Sequence, residues 1–287
     1  MINSTGKLRP RILFARRKAA VIVKYIFLSF WALTTVFPFL WIINNSFRNN
    51  SQILGQPFSL PPSIDFFNYI YVLSSTSIPL NFLNSVIYST SATFATLLIS
   101  SMATYAIIRV LKSNFLFVYF ITGIMIPVHA VIIPMFIELK VLGLLNTRLG
   151  LITIYTSGCI ATSIFVLSGF IKTIPVALEE AAVIDGASKA TVFFRVILPL
   201  CKPGLATAGT FVFLFGCWNE FLGALLFTSQ PHLTSLNLAV YYFRGMYQVD
   251  YGPMNACIVL LITPVVIFYM LFQEQVIKGL SAGALKG

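Results

Sequence analysis

Six stretches of predominantly apolar residues, each long enough to cross a lipid bilayer as a helix, limit what this chain can fold into. They run approximately from Val21 to Ile43, Leu80 to Ile108, Phe115 to Ile137, Leu149 to Ile171, Leu205 to Phe227 and Ala256 to Val276. A helix rises about 1.5 Å per residue, so about 20 apolar residues cover the roughly 30 Å of hydrocarbon in a bilayer. Only 9% of the 287 residues are charged and 58% are apolar, whereas a soluble domain carries about 25% charged residues. No polar shell is available to wrap six such helices in water. The chain reads as an all-α membrane protein with six transmembrane helices and lipid as its solvent.

The first run follows a basic tail with Lys7, Arg9, Arg11, Arg16, Arg17 and Lys18. It is longer than the apolar core of a secretory signal, and no small-residue cleavage pattern follows, so a retained helix is expected. Six crossings put both termini on one side. That side then holds fifteen of the nineteen Lys and Arg residues, and the other side keeps Arg48, Lys140, Arg148 and Arg244. By the positive-inside rule the N and C termini are expected in the cytoplasm. The net charge of +11 is thereby accounted for as a topology signal, and no nucleic-acid partner is expected. The expected organisation is a basic cytoplasmic tail over 1–20, a first helix and external loop over 21–79, a core over 80–276 with a long internal loop at 172–203, and a cytoplasmic tail over 277–287.

The external segment from Asn44 to Pro79 carries Pro57, Pro61, Pro62, Phe66, Phe67 and Tyr69, a composition for ordered turns and short helices, not a flexible linker. In the second run, Ser85, Ser89, Thr90, Ser91, Thr93, Thr96, Ser100, Ser101 and Thr104 are small hydroxylated residues that let helices approach closely in lipid. Helix packing and substrate contact both fit them, and packing is favoured. The four cysteines form no CxxC pair, and no His or acidic residue stands at metal-ligand spacing. No phosphate loop of the form G-x-x-x-x-G-K-[ST] and no G-x-G-x-x-G occurs, so nothing here cradles a nucleotide's phosphates.

The interval from Lys172 to Pro203 is the one sizeable internal loop, and its punctuation predicts two short helices. Thr173 is expected to cap the first, which begins near Pro175, carries Glu179 and Glu180, and stops at Gly186. The second starts near Ser188 and is expected to end before Pro199. Val192, Phe193, Val196 and Ile197 give it one apolar face, while Ala181 and Ala182 on the first leave room for another protein to approach. An amphipathic loop lying on the membrane accounts for the periodicity, but not for the combination of Glu180, Asp185 and Gly186.

Glu180-Ala181-Ala182, three residues, Gly186, nine residues and then Val196-x-Leu198-Pro199 resembles the EAA loop of binding-protein-dependent ABC importer permeases. The family pattern prefers Ile where Val196 stands. Asp185, Ala187, Phe194 and Pro203 are similar to the carbohydrate branch, as are Pro38-Phe39, Asn44 to Ser46, Asn84-Ser85, Trp218-Asn219-Glu220-Phe221, Phe272-Gln273, Gly279-Leu280 and the ending Gly283 to Gly287, which resembles that of the maltose-type second permease. The resemblance implies a type I importer permease fold in the cytoplasmic membrane of a bacterium or archaeon. It implies three kinds of partner besides lipid, a second homologous permease, two ATPase subunits and an extracytoplasmic sugar-binding protein, with an oligosaccharide as the sugar carried. ATP and Mg would be bound by the ATPase subunits, with no cofactor in this chain. Glu179, Glu180, Ala181, Ala182, Asp185, Gly186 and Ala187 would couple to the ATPase, with Glu180 making a charge contact there and Gly186 supplying the bend.

Glu220 is the one acidic residue plainly within a run, and an ionisable group there marks a functional position by default. With Trp218 and Asn219 it is read as a candidate substrate-pathway cluster; pairing or hydration near a membrane interface is the competing use. No catalytic constellation appears, so no enzyme activity is expected. The alternatives are an importer permease for a non-sugar solute such as glycerol phosphate, and a self-contained secondary carrier, which needs ionisable groups at mid-membrane that this chain lacks apart from Glu220 and His129.

Overall fold

The structure, a computed structural model, describes residues 10–243 and 249–284. Lys7, Arg9, Arg244 and Leu285-Lys286-Gly287, which enter the sequence reading, lie outside the described residues. The chain groups into two compact units, one running to Ile70 and including Asp250–Val259, the other running from Tyr71 to Val249 and including the residues from Leu260 on.

In the first unit, α1 (Pro10–Asn45) contains the first apolar run, and side chains such as Phe27, Trp31 and Leu33 stay exposed as lipid-facing groups do. The segment after it is ordered by hydrogen bonds, as its composition suggests. Asn49 and Gln52 form a capping box for α2 (Asn50–Gly55). Arg48 is buried, donating from Nη1 to Asn45 Oδ1 at 3.0 Å and from Nη2 to Gln56 O and Ser59 Oγ, both at 2.7 Å. Asn68, near the start of α3 (Phe67–Ser75), ties Ser46 O and Arg48 O together at 2.9 and 3.0 Å. Phe47, Phe66 and Tyr69 close the segment as an aromatic cluster.

The second unit is built on α4 (Ile78–Val110), whose last turn, Ala106–Val110, is a π turn, and on α7 (Arg148–Ile171). Arg148 donates to Asn84 Oδ1, Thr96 to Thr156 O and Ser100 to Ile160 O. Residue numbers rise together along both helices, so α4 and α7 run parallel. Ser85, Ser89, Thr96, Ser100, Ser101 and Thr104 are buried along this line, where small side chains bring the backbones close.

Parallel packing requires the chain to cross back between Val110 and Arg148. The expected single helix from Phe115 to Ile137 is instead two, α5 (Asn114–Met125) and α6 (Val128–Val141), bent by 99°. Pro127 has no N–H to continue the ladder and pushes Ile126 to an extended ψ of 115°. Two helices of 12 and 14 residues joined at that angle span about 25 Å end to end, so the bent pair serves as one crossing.

Beyond the internal loop, with its helices α8 (Val176–Ile184) and α9 (Lys189–Leu200), the chain returns in α10 (Lys202–Trp218), of which Val212–Trp218 is π-helical. A Cβ at Gly204 would lie 2.7 Å from Phe170, and one at Gly216 would lie 2.2 Å from Cys159 Sγ. Residue 204 thus faces 170 and residue 216 faces 159, so α10 is antiparallel to α7, with the Phe170 and Cys159 side chains filling the space beside the two glycines. The run expected to continue to Phe227 breaks at Asn219, and Leu222–Phe227 forms a separate helix, α11. After α12 (Leu236–Tyr242) the long α13 (Tyr251–Ala284) closes the chain, with Phe213 stacked on Phe268 at 4.6 Å.

Four helices are long and apolar enough to cross a membrane, and the number rises to six if each bent pair, α5 with α6 and α9 with α10, is one span.

Candidate functional site

The loop at 172–203 is an arm built by local punctuation. Below the end of α7, Pro175 occupies the N-cap of α8 with no side-chain capping bond, while the Thr173 hydroxyl donates to Phe170 O; the expected Thr173 cap does not form. At the far end, Gly186 has a φ of +85°. Its N–H reaches Val183 O at 3.0 Å and that of Ala187 reaches Ala182 O at 2.9 Å, the paired bonds of a Schellman turn. Ser188 then caps α9 through Thr191 N.

α9 does not stop before Pro199, contrary to expectation, and runs on to Leu200. A π turn at Phe193–Ile197 precedes the proline, with Leu198 N bonded to Phe193 O. The widened turn shifts the ladder by one acceptor, which accommodates a residue that lacks an N–H and whose ring would crowd an ordinary turn. Val192, Phe193 and Ile197 are buried with Tyr105, Leu167 and Ile171, and Val196 packs against that cluster. Phe193 lies 5.4 Å from the Tyr105 ring.

On α8 and its turn, Glu180, Ala181, Asp185 and Gly186 are exposed, and Ala182 and Ala187 are half-buried against the cluster. Val183 and Ile184 also expose apolar surface. Glu179 turns the other way: its Oε1 lies 3.0 Å from Arg109 Nε, and each side chain is only 12% exposed. Arg109 Nη2 also donates to Ile171 O, at 2.7 Å, and to Ile174 O. Sequence reading counted Arg109 only as a topology charge. Nothing local in the sequence pairs it with a residue seventy positions on.

The Trp218, Asn219 and Glu220 cluster lies where α10 gives way to α11. Trp218 is buried; its Nε1 donates to Leu261 O at 3.1 Å, three residues before Pro264, and its ring packs on Phe213 and Phe82. Asn219 is exposed, donates to Leu214 O at 2.8 Å and accepts from Asn237 at 2.9 Å through its carbonyl. Glu220 accepts from Gly223 N at 2.7 Å and Ala224 N at 3.2 Å, holding the unpaired N–H groups at the start of α11. Asn84 and Ser85 hold the segment before α12: Asn84 donates to His232 O and Thr234 O, and Ser85 Oγ accepts from Leu236 N. Among the described residues no group of three or more His, Cys, Asp or Glu side chains gathers as for a metal.

Fold and arm together define a multi-pass, all-α membrane protein with a bent arm between α7 and α10 that leaves Glu180, Ala181, Val183 and Ile184 exposed. The chain belongs to the family described as binding-protein-dependent transport system inner membrane component, whose match covers residues 95–281. It is 35% identical, over 94% of its length and 90% of the relative's, to the diacetylchitobiose uptake system permease protein of Streptomyces coelicolor. It is 34% identical to the trehalose/maltose transport system permease protein of Thermococcus litoralis, over 89% of this chain and 93% of that one. The permease of a bacterial ABC transporter involved in import of the acidic polysaccharide alginate shares the fold, with a TM-score of 0.80 at 24% identity over 90% of this chain and 96% of that chain. Chains of this family are permease subunits and not enzymes, and ATP hydrolysis lies in separate subunits.

Proposed function

We propose that this chain is one of two membrane subunits of an ATP-driven carbohydrate importer, passing a sugar, in the fullest form an oligosaccharide, that an external binding protein delivers. The observation that carries the reading is the arm. α8 and its Schellman turn present Glu180, Ala181 and an apolar edge at Val183 and Ile184 outward, while α9 is sunk into the span ends. Such a knob suits the cleft of a separate ATPase. In this reading the arm and both termini are cytoplasmic, and ATP with Mg is held by two ATPase subunits. The second permease is a homologue of this chain. The permease pair is then a two-state element whose balance ATP shifts.

The carbohydrate assignment rests on the names of the relatives, which are permeases for diacetylchitobiose and for trehalose and maltose. A secondary carrier needs an ionisable group free to exchange a coupling ion, whereas Glu220 has both oxygens engaged by the N–H groups of Gly223 and Ala224.

The test is reconstitution of the complex in proteoliposomes with ATP enclosed, and uptake measured for diacetylchitobiose, trehalose, maltose and glycerol 3-phosphate with the binding protein outside. Uptake of a sugar that stops when ATP is withheld is expected. Uptake driven by a proton or sodium gradient without the ATPase overturns the class, and uptake of glycerol phosphate alone overturns the substrate.

A further inference from the structure

One guanidinium joins three elements at the arm's root. Arg109 stands in the π turn that ends α4, donates to Ile171 O and Ile174 O where α7 ends, and meets Glu179 in the first half of α8. A cation at the C-terminal end of a helix is well placed for its unpaired carbonyls and its dipole. Both charged groups are largely withdrawn from solvent, so the pair is screened less than a surface ion pair. The Tyr105 hydroxyl lies beside the same carboxylate, and the Tyr105 ring leads on to Phe193 of α9. On the α7 side, Lys172 Nζ sits 4.7 Å over the Phe117 ring of α5.

Resting on the function proposed above, we propose that Arg109 and Glu179 form a strut that fixes α8 to the ends of α4 and α7 and makes the arm's movement the movement of two parallel spans. Besides it, α8 is held directly to α7 by Lys172 to Pro175 and indirectly by the packing of Ala182 and Ala187 against the cluster that carries α9. The two adjacent glutamates therefore have different tasks. Glu180 faces outward as a docking residue. Glu179 faces inward as a positioning residue, and its carboxylate is occupied by its own chain.

Two measurements test the strut. In the reconstituted complex, Glu179→Gln and Arg109→Lys are expected to assemble with the ATPase and hydrolyse ATP, yet to carry about tenfold less solute per ATP; the double variant is expected to be no worse than the poorer single one, since the two residues act as a unit. A merely structural contribution lowers the yield of complex and leaves the ratio of solute to ATP unchanged, and an unchanged ratio overturns the proposal. Hydrogen exchange on the full chain in detergent, which needs no partner, is expected to speed up about tenfold at the α8 amides in both variants. Unaltered exchange there overturns the strut whatever the complex transports. Failure of the unaltered complex to couple ATP to sugar uptake would instead sink the function while leaving the exchange result standing.

Discussion

Gly186 sits at a φ of +85° with open space where a Cβ would lie, so any other residue there meets a conformational cost and no clash. Gly186→Ala is expected to destabilise the turn by about 1–2 kcal/mol, read as faster amide exchange at Ala187, whose N–H closes the turn on Ala182 O. Trp218 fills a site between aromatic rings and lends a donor to Leu261 O. Trp218→Phe should cost about 0.5–1.5 kcal/mol, the net worth of one hydrogen bond, and Trp218→Ala about 3–5 kcal/mol. Melting temperatures in detergent should fall in that order. Glu220 separates two roles cleanly. Glu220→Ala removes both acceptors from the start of α11 and should cost about 1 kcal/mol as a lost cap; Glu220→Gln keeps an acceptor oxygen, so a drop in uptake without a drop in melting temperature identifies contact with solute. The sequence drew notice to Glu220 because a charge in an apolar run is rare. Its capping contacts were not legible, because the apolar run continues through Phe227 and hides the break at Asn219 that creates a new helix start.

Among the elements, prolines account for what periodicity missed. Apolar character locates a segment in the membrane but does not fix its direction. The run from Phe115 to Ile137 therefore reads as one rod, although Pro127 turns it through 99°. Pro199 misled in the opposite sense: the proline rule ends a helix, and the π turn at Phe193–Ile197, which carries α9 past it, has no sequence signature at this length. The apolar face of α9 and the stop at Gly186 were legible, since helical spacing and glycine's conformational range are local properties. Packing between elements gives a sharp prediction. Gly216→Val would set its side chain against Cys159 Sγ, which must turn away, and should cost about 1–3 kcal/mol by overpacking. Gly158→Ala has open space and serves as a neutral control. Relative yields of folded chain in detergent, compared by size-exclusion chromatography, check the pair.

For the whole molecule, hydropathy carried most of the reading, because a bilayer penalises every unpaired backbone group and admits few designs. Contacts between distant residues, Arg109 with Glu179 above all, were out of reach because they depend on which spans are neighbours. Glu180→Lys is expected to abolish uptake while membrane insertion, checked by carbonate extraction, stays intact; undiminished uptake would remove Glu180 from the docking surface. Arg48 bears on the response to acid. Its guanidinium is wrapped by the amide, carbonyl and hydroxyl oxygens of Asn45, Gln56 and Ser59, and among the described residues no carboxylate is one of its hydrogen-bond partners. Acid that neutralises carboxylates therefore leaves this knot tied, so it should persist in sour surroundings.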